Sequence, residues 1–130
     1  MSGVVPVLLY HSVSDQPTGQ FGPYTVSRSQ LASHLDQVTD LGFQTLTVGQ
    51  LVAHRAAGLP LPPRTAVITF DDGFADFDNA WAELTQRGLA ATLRHRRHHR
   101  WAQCVAGPVG GCRPGHAGPL SAARLRRRRV

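Results

Sequence analysis

Two adjacent carboxylates and a glycine, Asp71, Asp72 and Gly73, directly follow an apolar segment at residues 65–70. Neighbouring residues at the end of a strand point in different directions, so one carboxylate can bind a metal ion while the other accepts a proton. A bound metal lowers the pKa of a water molecule, and the second carboxylate then acts as its general base. The same residues also form a common turn, in which Asp72 only caps the next helix. The residues alone therefore leave both a hydrolytic site and a plain turn open.

The elements that would position this pair alternate between strand and helix. Short apolar runs predict strands at residues 4–10, 43–46, 65–70 and 89–93. This order predicts an α/β fold with parallel strands covered by helices. Sites in such folds lie at the carboxyl ends of strands, where Asp71 would lie and where His11 follows the first strand. His11 either faces the mouth of the site in which Asp71 would lie, or is a buried histidine bonded to the backbone.

Three helices are predicted between the strands. Two of them begin at capping boxes, Ser27 with Gln30 and Thr47 with Gln50. The third is indicated by the spacing of Phe77, Trp81 and Leu84. All three are expected to end at a glycine: Gly42, Gly58 and Gly88.

Charge divides the 130 residues into two parts. Residues 1–93 hold four arginines and all eight acidic residues, a net charge of −4, whereas residues 94–130 hold ten arginines and no acid. We therefore predict one α/β unit over residues 1–93 and an irregular, disordered tail, rich in Gly, Pro and Arg, over residues 94–130.

No apolar run is long enough to span a membrane, and we identify no signal peptide, which favours the cytoplasm. The composition also excludes a coiled coil and a disulfide scaffold.

Residues 69–73, Thr-Phe-Asp-Asp-Gly, resemble the first motif of the polysaccharide deacetylases, the NodB-homology or carbohydrate esterase 4 family. Further segments resemble the same family in the same order: residues 5–11, 24–35, 41–51 and 73–93. The resemblance covers nearly all of residues 4–93 and none of residues 94–130.

The resemblance implies a distorted (β/α) barrel and metal-dependent removal of acetyl groups from a carbohydrate polymer, usually of N-acetylglucosamine. By motif position, Asp71 would be the catalytic base and Asp72 a ligand of the metal, usually Zn²⁺. The metal would polarise the acetyl carbonyl and activate water. The family also implies a place at the cell envelope or outside the cell.

The sequence departs from the family after residue 93. The family's His-Ser/Thr-x-x-His metal motif is not found, and a barrel needs about 200 residues, so we expect a partial barrel that is truncated and inactive. His95 and His99 lie four residues apart, as ligands on one helix face would. Arg96 replaces the Ser/Thr, however, and the surrounding cationic residues oppose the binding of a dication.

A frameshift near residue 94 is our hypothesis for this departure. Reading CGN and CAY codons one base later over residues 94–100 allows Val-Thr-Ala-Ala-Thr-Thr-Gly, which suits the strand and turn expected there. A GC-rich gene also explains why all 14 basic residues are arginine.

Two alternatives assign a function to the tail. Ten arginines could bind nucleic acid or an anionic surface, although no recognition motif accompanies them and no specific nucleic acid is predicted. Cys104 and Cys112 could join the histidines in a metal module, although their spacing is not that of a zinc knuckle.

Overall fold

Strands and helices alternate along the chain in the computed structural model, which describes residues 4–16, 19–71, 77–95, 100–105 and 111–115. The elements are β1 (Val7–Tyr10), β2 (Ser12–Val13), a 3-10 helix (Gly19–Tyr24), β3 (Thr25–Val26), α1 (Arg28–Asp40), β4 (Gln44–Leu46), α2 (Val48–Ala56), β5 (Thr65–Phe70), α3 (Phe77–Gln86), β6 (Ala91–His95), β7 (Arg100–Val105) and β8 (Gly111–Gly115). The predicted alternation is confirmed, and β5 has the predicted bounds.

The strand β5 is the centre of the main sheet. It pairs in parallel with β1, β4 and β6. Phe70 lies opposite Tyr10 of β1 and Leu93 of β6, so these three strands end at one edge. This confirms the predicted parallel α/β arrangement, of the kind from which a (β/α) barrel is built.

Hydrogen bonds within the chain begin the first two helices as predicted. Ser27 Oγ accepts from the Gln30 N–H at 3.1 Å, and Gln30 Oε1 accepts from the Ser27 N–H at 2.9 Å. Thr47 and Gln50 form the same pair of bonds at 3.1 and 2.9 Å. Both capping boxes are therefore confirmed, and the three predicted terminal glycines, Gly42, Gly58 and Gly88, have φ angles of 76°, 63° and 65°.

The hydrophobic core lies between the sheet and the helices α1 and α3. Its fully buried side chains include Leu31 and Leu35 of α1, Ile68 of β5 and Leu84 of α3. Burial of large apolar side chains of this kind stabilises a fold by about 2 kcal/mol each. The core positions β5, and with β5 the residues that follow it.

The region after residue 93 differs from the predicted irregular tail in two segments. β7 pairs antiparallel with β6, and β8 pairs antiparallel with β7. A sheet edge offers backbone N–H and C=O groups to any strand, so pairing there needs no apolar alternation in the added sequence. Pro114 lies in β8, the last strand in the sheet order, and edge strands tolerate proline. Residues 96–99, 106–110 and 116–130 lie outside the described residues.

No helix within the described ranges is long and apolar enough to cross a membrane.

Candidate active site

The carboxyl ends of β1, β5 and β6 bring three polar residues to one edge of the sheet. Asp71 directly follows β5, and its N–H donates to the Tyr10 carbonyl at 2.8 Å. His11 follows Tyr10, and Arg94 follows Leu93, the residue opposite Phe70 in the register. The geometry therefore places His11, Asp71 and Arg94 side by side along the edge, where sites of parallel α/β folds form.

An ion pair joins Asp71 to Arg94. Arg94 Nη1 lies 3.6 Å from Asp71 Oδ1, and the two side chains are 46% and 27% exposed. This distance is longer than the roughly 2.8 Å of a charge-assisted hydrogen bond. Arg94 was not among the predicted site residues. Its signal was available, since it follows the apolar run at residues 89–93 just as Asp71 follows residues 65–70.

His11 is half-buried at this edge. Its ring lies against the ring of Tyr24, with centroids 5.6 Å apart and planes tilted by 50°. This ring contact does not decide between a residue of the active-site mouth and a buried histidine bonded to the backbone. The place of His11 at the carboxyl end of β1 agrees with a role at the mouth, which stays a prediction.

Aromatic side chains support the edge from within. Tyr10 stacks on Phe70 at 5.3 Å between centroids, and Phe70 meets Phe77 edge-on at 5.1 Å. The Tyr10 hydroxyl forms a hydrogen bond with His34 Nδ1 at 3.0 Å, and burial raises the pKa of Tyr10. Such ring pairs contribute about 1 kcal/mol each beyond burial, so the backbone before Asp71 is firmly held.

The described residues do not by themselves supply a metal site. Within them, no group of three or more His, Cys, Asp or Glu side chains could hold a metal ion. The predicted ligands Asp72 and His99 lie outside the described residues, and His95 is described only as the last residue of β6. The cationic Arg94 beside Asp71 also opposes a dication at that carboxylate. The expected metal therefore stays a proposal.

Comparison with curated proteins finds relatives of one kind. Over 90 residues the chain is 29% identical to YxkH of Bacillus subtilis, which carries the name of a polysaccharide deacetylase. Over 68 residues it is 31% identical to the poly-beta-1,6-N-acetyl-D-glucosamine N-deacetylase of Escherichia coli K12. These matches cover 68% and 52% of this chain. No protein-family model matches the chain.

A solved structure is similar in fold as well as in sequence. It is the de-N-acetylase of Aggregatibacter actinomycetemcomitans, with a TM-score of 0.60 and 29% identity over 68% of this chain. The chain therefore resembles part of a NodB-like polysaccharide deacetylase domain, as its sequence predicts. The chain spans 36% of the solved protein, 30% of YxkH and 10% of the Escherichia coli protein.

Proposed function

We propose that this chain is part of a hydrolase that removes N-acetyl groups from an N-acetylglucosamine polymer, with Asp71 as its general base. The observation that carries the proposal is the position of Asp71. It lies at the carboxyl end of the central strand, bonded to Tyr10 of β1, in a chain whose relatives carry the names of deacetylases.

In this reaction Asp71 would act as the general base. Its carboxylate would take a proton from the water molecule that attacks the acetyl carbonyl. The amide C–N bond would then break as a proton passes to the leaving nitrogen, which gives acetate and a free amine. The Asp71 side chain is 27% exposed, so water can reach its carboxylate. His11 and Arg94 would line the same mouth.

A divalent metal, Zn²⁺ by the resemblance, is part of the proposal, with Asp72 as one ligand. The further donors would have to come from outside the described residues, within which no cluster of three donors is found. We propose that the 130-residue chain is a partial domain that is inactive by itself, because it spans only 30% of YxkH and 36% of the solved de-N-acetylase.

The first test is acetate release from a β-1,6-linked N-acetylglucosamine trisaccharide. With added Zn²⁺, we expect the 130-residue chain to release no more acetate than Zn²⁺ alone. Release that disappears in Asp71→Asn would contradict the proposed inactivity and would leave the assigned base standing.

The second test uses the protein encoded when the reading frame after codon 93 is restored. There we expect acetate release, and Asp71→Asn should lower it at least about 100-fold, the usual minimum for a general base. Asp40→Asn, an exposed carboxylate at the end of α1, is the matched control and should leave the rate unchanged. Equal rates for Asp71→Asn and the unmutated protein would overturn the proposed function.

A further inference from the structure

A tyrosine with an exposed ring lies beside the candidate active site. Tyr24 is the last residue of the 3-10 helix Gly19–Tyr24, and 61% of it is exposed. One side of its ring contacts His11, with centroids 5.6 Å apart. Because most of Tyr24 is exposed to solvent, its ring contributes little to the stability of the fold.

The backbone beneath Tyr24 is held in place although the ring is not buried. The strands β2 and β3 pair in parallel, and His11 and Tyr24 are the residues directly before them. Val13 of β2 is 1% exposed, and its carbonyl accepts a hydrogen bond from Asn79 Nδ2 at 3.2 Å. The short ladder therefore ties the position of Tyr24 to the core.

The same ladder brings Tyr24 to the edge that carries Asp71. The Asp71 N–H is bonded to Tyr10, the residue before His11. Adjacent strands lie about 4.8 Å apart, so the backbones of His11 and Asp71 are neighbours across the edge. Tyr24, His11 and Asp71 thus form a row, with the open aromatic ring at its outer end.

We propose that Tyr24 is a stacking platform for one sugar ring of the polysaccharide, adjacent to the sugar whose acetyl group faces Asp71. This inference rests on the proposed function and names a binding residue for it. A pyranose ring has an apolar C–H face that packs on an aromatic ring, and rigid aromatic side chains give such contact at low entropic cost. The contact with His11 orients the tyrosine ring before the sugar binds.

The test is binding of a β-1,6-linked N-acetylglucosamine trisaccharide to the 130-residue chain, followed by NMR titration. Tyr24→Leu keeps apolar bulk and removes the ring face, so we expect about tenfold weaker binding. Tyr24→Phe keeps the face and should bind within about twofold of the unmutated chain. Leu59→Ala, at another exposed apolar residue away from this edge, is the matched control and should change nothing.

The outcomes separate this inference from the proposed function. Equal binding by Tyr24→Leu and Tyr24→Phe, with both variants folded by circular dichroism, would overturn the platform. So would the absence of any trisaccharide binding by the unmutated chain. Neither result touches the assignment of Asp71, which is judged by acetate release in the frame-restored protein. Asp71→Asn should retain trisaccharide binding, because the platform and the base act on different parts of the polymer.

Discussion

Within the part of the chain that the structure describes, the shortest ion pairs lie away from the candidate site. Glu83 of α3 is bonded to Arg28 Nε of α1 and to Arg87 Nη1, both at 2.7 Å. Arg87 Nε also pairs with Asp36 of α1 at 2.7 Å. The Glu83 side chain is only 11% exposed, so its carboxylate links α3 to α1 at a position that is largely shielded from water. This network is structural, since it lies between α1 and α3.

Glu83 should make the stability of the fold depend on pH. Its hydrogen bonds to Arg28, and next to Arg87, lower the pKa of the Glu83 carboxyl. A carboxyl with a lower pKa in the folded state stabilises fully above its unfolded pKa and loses that contribution as pH falls through the folded pKa. We therefore expect the free energy of unfolding, measured by urea titration, to decrease as pH falls from about 6 to about 3.

Glu83→Gln tests the assignment to this residue. Because it removes charged hydrogen bonds, this substitution should lower the free energy of unfolding by about 2 kcal/mol at neutral pH. It should also make the free energy of unfolding depend less on pH. Asp40→Asn replaces an exposed carboxylate of α1 and should change stability by less than about 0.5 kcal/mol. An unchanged pH slope in Glu83→Gln would show that other carboxylates carry the effect.

At the scale of elements, the two capping boxes have the same bonds in different environments. Thr47 is fully buried, whereas Ser27 is only partly buried. Removing the hydroxyl leaves an amide N–H without its partner, which is more costly where water cannot replace the bond.

We therefore expect Thr47→Ala to cost about 2 kcal/mol and Ser27→Ala about 1 kcal/mol, within the usual range for helix caps. Urea unfolding of both variants measures the difference. Thr47→Ser keeps the hydroxyl and should recover most of the loss. If Thr47→Ser were as unstable as Thr47→Ala, the lost methyl group rather than the cap would explain the change.

The edge of β6 shows why a strand can form from a sequence whose composition predicts irregular structure. Residues 100–105 and 111–115 were predicted to be irregular, yet they are strands added to β6 and β7. The parallel strands before them were predictable because each has its own apolar run. The added pair depends on an edge that exists only once the sheet has formed.

At the scale of the whole molecule, our hypothesis is that a frameshift in the gene causes the change in composition at residue 94. We predict that sequencing codons 88–104 and translating all frames will reveal a second frame. It should continue with a Val-Thr-rich strand and later a His-Ser/Thr-x-x-His motif. AGR codons for the arginines of residues 94–100, or a confirmed frame without such a continuation, would rule out the frameshift. Binding of nucleic acid or an anionic surface by residues 94–130 stays an untested alternative.

The sequence by itself determined the features that depend on neighbours along the chain. Both capping boxes join residues three positions apart, and the strand at residues 65–70 is a continuous apolar run that ends at Asp71. The resemblance of residues 69–73 to one deacetylase motif is local in the same way. Hydrogen bonds between near neighbours and hydrophobic periodicity can be predicted from the amino-acid sequence alone.

Only the tertiary structure decided which distant residues meet. Arg94 lies against Asp71, and Tyr24 against His11, because parallel pairing sets the register of separate strands. The bond between Arg28 and Glu83 joins residues 55 positions apart through the packing of α1 on α3. These contacts have no periodic signal, since each depends on how elements pack rather than on the sequence of either one.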